Sequence, residues 1–406
     1  MRYPRSAALF DRAQRSIPGG HHLSGRPLLD PNRSPLYFDR AKGCRLWDVD
    51  GHEYIDYLMA YGAFVLGYGE ESVDRAAFAQ TARGHLVSLN HPLHVEFIET
   101  LLERFPFAEM GAFFKTGSEA TTAAVRIARR ATGRRKIIRC GYHGWHDWCV
   151  PAEDFVPAGL TSQVLECRPS DPVSMAALFA ENPGEIAAVI LAPEMVPEAQ
   201  AAVIVRLLDL ARHHGSVFIL DEIKTAFRTP PGSIHQRIGI QPDILTVSKA
   251  LGNGWPVAAT LGTRAVMENA RGMHLSATYH GDTAAMAAAL KTLELLDEQD
   301  VAEHLWRMGE RLLSGLKERA QRHRLPVAVY GEPLPPMPFM RFDHEVATTN
   351  DAMQATFYEE VFRRGVLLHP RHLWFVSAAH GEEDIDRTLD ACDGAFERVR
   401  KQQGDG

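Results

Sequence analysis

The sequence predicts an α/β protein whose mainly parallel sheet alternates with helices. Two observations carry that expectation. Largely apolar runs, Ile186–Glu194, Val217–Leu220 leading into Asp221-Glu222, and Ile244–Val247, read as buried strands. Between two of them, Val203–His213 has the apolar spacing of a helix, stopped by Gly215. Strands alternating with helices in this way build parallel sheets. The 406 residues leave room for one large domain and one or two smaller ones, each with its own core.

Taken in order, Ala7–Gln14 has helical spacing and stops near Ile17-Pro18-Gly19-Gly20. Tyr37-Phe38-Asp39 and Cys44–Gly51 read as a hairpin with an Asp-Gly turn, and Tyr54–Tyr57 adds a strand. A large domain begins around Asp74 with helical segments through Glu103. Phe113-Phe114 is a short strand running into a helix that continues through Ala128. Lys136–Cys140 is a buried strand, and Trp255–Thr260 returns to the sheet after Lys249. Asp282 is suited to cap an alanine-rich helix. A helix through Leu312–Arg322, strands near Val327–Val329 and Phe339–Phe342, a helix ending at Gly365 and a final helix from about Glu382 complete the chain. The expected division is 1–73 and 311–406 as the two parts of a small α+β domain, with 74–310 between them.

Composition narrows the function. With 45% hydrophobic and 23% charged residues the chain has the make-up of a soluble globular enzyme. A net charge of −7 with scattered Lys and Arg gives no basic stripe for nucleic acid. No apolar run approaches the ~18 residues of a membrane span. The start, Met1–Arg5, leads into no signal-like apolar run. Five widely spaced cysteines without C-x-x-C fit reduced thiols, hence a cytoplasmic protein. His143 and His146 lie three apart, but no third ligand follows at a zinc-like spacing, so no metal is expected.

The chemistry gathers at strand ends. Asp221 closes one apolar run, and Lys249 follows another and precedes Gly252-Asn253-Gly254. In parallel sheets ligands bind at such carboxyl ends. A buried carboxylate with a lysine able to form an imine is the pairing that pyridoxal 5'-phosphate (PLP) needs: the lysine holds the aldehyde, and the acid keeps the pyridine nitrogen protonated. Gly117 and Ser118 stand where a helix N-terminus would bind a phosphate, or where a serine would simply cap the helix. Tyr142, after the Lys136–Cys140 strand, offers an aromatic face for a flat ring, with His143 beside it. Ile223 lies two residues past Asp221, on the same side of an extended chain, and could pack under that ring.

Asp221–Arg228, Gln241–Ile244 and Ser248-Lys249 resemble the core of the class III aminotransferases, PLP enzymes of fold type I, most closely their glutamate-1-semialdehyde aminomutase-like branch. The resemblance runs over nearly the whole chain. It implies a seven-stranded sheet, a phosphate turn at Gly117-Ser118, ring stacking by Tyr142, and a homodimer in which Thr278 reaches the partner's cofactor phosphate. It also implies substrate roles for Arg26, six positions after Gly20 and able to clamp a carboxylate, and for Tyr61. Two departures stand out. Ala192 replaces the glutamate of the usual Glu-Pro, with Glu194 two residues later, and Gly281-Asp282-Thr283 replaces Gly-Asn-Pro. The segment Leu368–Ser377 is shorter than its aminomutase counterpart and lacks its acidic residue, while His372 and Trp374 suggest another pocket lining. Transfer between an amino donor and a separate carbonyl acceptor is therefore favoured over the aminomutase reaction. A non-catalytic α/β ligand-binding or regulatory protein is the alternative of another class, and no G-x-G-x-x-G or Walker motif supports it.

Overall fold

The computed structural model describes residues 3–22, 35–150, 156–168, 171–195, 201–331 and 334–404. By its contacts the chain divides into two compact units, Glu71–Glu303 on one side and Met1–Glu70 with His304–Gly406 on the other.

The strands of the smaller unit's first part are β1 (Phe38–Lys42), β2 (Arg45–Asp48) and β3 (Glu53–Asp56). In the larger unit follow β4 (Met110–Phe114), β5 (Lys136–Cys140), β6 (Val164–Glu166), β7 (Ile186–Leu191), β8 (Val217–Asp221), β9 (Ile244–Val247) and β10 (Ala258–Gly262). These seven form one sheet in the order β4-β10-β9-β8-β7-β5-β6. β6, β5, β7, β8 and β9 pair in parallel, and β10 runs antiparallel to both of its neighbours. Every residue of β7, β8, β9 and β10 is buried, as continuous apolar runs demand of strands covered on both faces.

The helix Gly117–Thr132 shows how sequence places one cover. Its N-cap is Thr116, whose hydroxyl accepts from Glu119 N–H, while the Glu119 carboxylate accepts from Thr116 N–H. Gly133 ends it in the left-handed region, at φ 68°. Its buried face is mostly alanine, so the helix lies close to the sheet: Ala124, Ile127 and Ala128 join Ile137, Ile190, Ile219 and Ile244 in one core cluster. Serine capping, open in the sequence, is thereby decided against. Ser118 is already inside the first turn.

In the smaller unit, β1, β2 and β3 pair antiparallel, and β13 (Val366–Leu367) adds in parallel to β3. β11 (Val327–Tyr330) and β12 (Phe339–Phe342) pair separately. The Asp50-Gly51 turn lies between β2 and β3, and Gly43 makes the connection from β1 to β2. The pairing of β3 with β13 ties the two sequence-distant parts together. Tyr3, Tyr54, Phe362 and Leu367 share a small core there. Among the described residues no helix is long and apolar enough to cross a membrane.

Candidate active site

Five strand ends converge on one cavity. β4 leads to Thr116, Gly117 and Ser118; β5 to Tyr142, His143 and Gly144; β7 to Glu194; β8 ends in Asp221 and leads to Ile223 and Lys224; β9 leads to Ser248 and Lys249. All of them line the cavity. Carboxyl ends of parallel strands splay where the sheet order reverses, which leaves a crevice at that edge.

Asp221 is 4% exposed and accepts three hydrogen bonds. His143 Nδ1 lies 2.7 Å from its Oδ2, and its Oδ1 accepts from Ile223 N–H and the Thr246 hydroxyl, each at 3.1 Å. The Thr246 contact follows from register, since Asp221 and Thr246 face each other across β8 and β9. The neighbouring acid does different work. Glu222 is fully buried and accepts from Ile234 N–H, His235 N–H and the Thr225 hydroxyl, so it anchors the turn into helix Ile234–Ile238.

Lys249 sits at φ 48°, in the left-handed region that a side chain enters only under constraint. Ser248 before it donates its hydroxyl to the Val257 carbonyl at 2.9 Å, which pins the start of the turn. Part of Lys249 opens to the cavity and protein surrounds the rest. Burial, then the Lys224 and Arg228 cations, push its amine down to about 7 against the opposing pull of Glu194 and Asp221.

Gly117 and Gly144 have little room for a side chain. A Cβ at Gly117 would stand 2.7 Å from Ile223 Cδ1, and one at Gly144 would strike the Ser118 hydroxyl. Ile223 thus packs on the first turn of helix Gly117–Thr132. Tyr142 is largely exposed, with Lys224 Nζ 5.5 Å from its ring centre.

The remaining expected residues fall elsewhere. Thr278 lies in an exposed turn and is not among the residues lining the cavity. In the smaller unit the Tyr61 and His372 rings meet edge-on, with centroids 5.1 Å apart. Tyr61 belongs to a left-handed turn, Met59 to Gly62, in which three side-chain-bearing residues have positive φ; Asp56 steadies it by accepting from Leu58 N–H and Met59 N–H. Trp374 is corrected. It is 0% exposed and its indole N–H donates to the His369 carbonyl, so it is core and has no surface to offer a substrate. Arg26 lies outside the described residues.

Two lining residues that sequence reasoning left unassigned are Glu194 and Lys224. Their side chains form an ion pair at 2.6 Å, with side-chain exposures of 3% and 14%. Burial works against the Lys224 ammonium, but Glu194, joined by Asp221 and Tyr142, outweighs it and holds the amine above the ordinary lysine value. The strand-end rule that picked out Asp221 would also have found Glu194, just past β7.

Comparison with known proteins decides the family. The profile described as aminotransferase class-III matches residues 29–373. The chain belongs to the class III aminotransferases. It is 32% identical over 410 residues to the 3-aminobutyryl-CoA aminotransferase of Cloacimonas acidaminovorans, covering 99% of each chain. It is also 32% identical over 432 residues to the glutamate-1-semialdehyde 2,1-aminomutase of Chloroflexus aggregans, covering 98% of this chain and 99% of that one. The fold matches the PLP internal aldimine form of the FumI protein from Sphingopyxis sp. MTA144 with a TM-score of 0.91, at 31% identity and 98% and 97% coverage.

Class III aminotransferases are PLP-dependent enzymes that move an amino group from an amino donor to a carbonyl acceptor, and the cavity suits that cofactor. It combines the hydrogen-bonded Asp221 carboxyl group, a helix N-terminus and a lysine whose amine is pushed down to about 7. The buried Nε2 of His143 has no hydrogen-bond partner among the described residues.

Proposed function

We propose that Lys249 is the residue that holds PLP covalently, and that the enzyme transfers amino groups between separate donor and acceptor molecules. The observation that carries this is the convergence of a half-buried Lys249, its amine pushed down to about 7, and a triply hydrogen-bonded Asp221 on one strand-end cavity. PLP bound there supplies an aldehyde carbon that condenses with amines and a ring that draws electrons from the adjoining carbon.

The chain's own residues do the rest. Asp221, held by three hydrogen bonds, would pair with the ring nitrogen and hold its proton, and His143 braces Asp221. Gly117 and Ser118 at the start of helix Gly117–Thr132 bind the phosphate with first-turn N–H groups and the Ser118 hydroxyl. Ile223 and Tyr142 take the two faces of the ring. Lys249, its amine pushed down to about 7, is the base that moves a proton at the substrate Cα and returns it. Tyr61 and His372 form a ring pair suited to line a substrate's path, and Arg26 is assigned to a substrate carboxylate.

The working unit in this reading is a cytoplasmic homodimer with shared sites. Thr278 is exposed, and Tyr279 beside it and Val87, Leu89 and Val95 present apolar surface to solvent, which favours burial against a second copy. Separate donor and acceptor molecules are favoured over intramolecular transfer by the short Leu368–Ser377 segment. Borohydride reduction of PLP-loaded protein followed by peptide mapping tests the central assignment. The pyridoxyl mass is expected on Lys249, and finding it on Lys224 or on no lysine overturns it.

A further inference from the structure

We propose that the Glu194–Lys224 ion pair is a positioning device for Lys249: Glu194 fixes the Lys224 side chain in the cavity that Lys249 also lines, and that fixed charge keeps Lys249 reactive toward the cofactor aldehyde. The inference rests on Lys249 being the PLP-holding lysine.

The geometry comes from three adjacent strands. β7, β8 and β9 lie side by side, and Glu194, Lys224 and Lys249 follow their respective ends into one cavity. Lys224 Nζ is 2.6 Å from Glu194 Oε1, so its charge is locked in place. Stability does not account for such a pair, because desolvating two charges offsets most of their attraction and apolar residues of similar volume serve as well or better. Nor does the pair close on itself. Glu194 Oε2 is buried without a hydrogen-bond partner among the described residues.

Lys224 and Lys249 share the cavity but differ in state. Lys224, held by its carboxylate, stays an ammonium. Lys249 faces Lys224 and Arg228 from the segment after β8, Glu194 from the segment after β7, Asp221 at the end of β8, and Tyr142 and His143 from the segment after β5. Next to burial, Lys224 is the strongest influence favouring the neutral amine, and only Glu194 and Asp221 oppose it. Two lysines that could in principle compete for the same aldehyde thus differ in state: Lys224 is paired with a carboxylate, and Lys249 is held down by burial and by the Lys224 charge.

The test uses the full chain stripped of cofactor. The rate of PLP uptake is followed by absorbance across pH, and borohydride mapping identifies the lysine labelled. The native chain should load with a midpoint near pH 7, where Lys249 loses its proton. Lys224→Met and Lys224→Gln should each raise that midpoint by about one to two pH units. Lys224→Arg, which keeps the charge, should leave it near the native value. A native midpoint in a folded Lys224→Met or Lys224→Gln chain overturns the proposal, as does an upward shift in Lys224→Arg equal to that of the neutral variants. If one neutral variant fails to fold, the other decides. If both fail while Lys224→Arg folds, the pair is a folding element and the proposal falls. A label on another lysine in the native chain overturns the assignment of Lys249 itself, a result distinct from any shift in midpoint.

Discussion

Replacing Asp221 separates its charge from its hydrogen bonds. In Asp221→Asn the side chain keeps its shape, and Oδ1 can still accept from Ile223 N–H and the Thr246 hydroxyl. The new amide meets His143 Nδ1 where Oδ2 stood at 2.7 Å, so the imidazole must present a lone pair there and carry its proton on Nε2. One rearranged hydrogen bond costs about 1 kcal/mol of stability. Asp221→Ala leaves three donors without their acceptor, two of them on the buried side chains of His143 and Thr246. At about 1–3 kcal/mol for each buried orphan, the alanine variant should lose several kcal/mol. Both variants lose the anion that holds the ring proton. The chemical step should slow by about 10²-fold or more, roughly 3 kcal/mol of barrier. Single-turnover rates with an amino donor, read from the spectrum of PLP-loaded protein, measure the second effect, and urea unfolding measures the first. The asparagine variant should be close to native in stability yet slow. Near-native single-turnover rates in folded, PLP-loaded Asp221→Asn would refute the role assigned to the charge.

Three further outcomes follow from particular contacts. Gly144→Ala places a Cβ on the Ser118 hydroxyl at a φ of 120°, and PLP retention should weaken about tenfold or more; unchanged retention on dialysis would contradict a close fit at the phosphate turn. Burial pushes the His380 imidazole down to about 4 from an ordinary 6.5, Asp384 opposing, so between those pH values the unfolded chain binds a proton that the folded chain refuses. Stability should therefore fall as pH drops from about 6.5 toward 4, by ~2 kcal/mol at pH 5, and His380→Asn should flatten that slope in urea titrations; an identical slope would remove His380 as the cause. Mixing inactive Lys249→Ala with an inactive, bulky Thr278 variant should restore activity if the two residues of a site come from different chains, and no recovery after verified subunit exchange would count against shared sites.

Much of this protein was legible in its residues because strand burial and strand ends are local signals. Continuous apolar runs placed β7, β8 and β9, and the rule that ligands collect at carboxyl ends pointed to Asp221 and Lys249, which the fold brings to one cavity. What the adjacent acid, Glu222, does required the tertiary structure. Asp221 and Glu222 point to opposite sides of an extended chain, and only the neighbours show that one faces the cavity while the other anchors helix Ile234–Ile238. Trp374 was misplaced for a similar reason: an indole suits a pocket wall and a core equally well, and its burial depends on packing by Phe339 and Tyr358, distant in sequence. The Glu194–Lys224 pair was invisible in the sequence because 30 residues and a whole helix separate its members. They meet only because β7 and β8 are neighbours in the sheet, and a sheet's order is set by long-range pairing that no local pattern encodes.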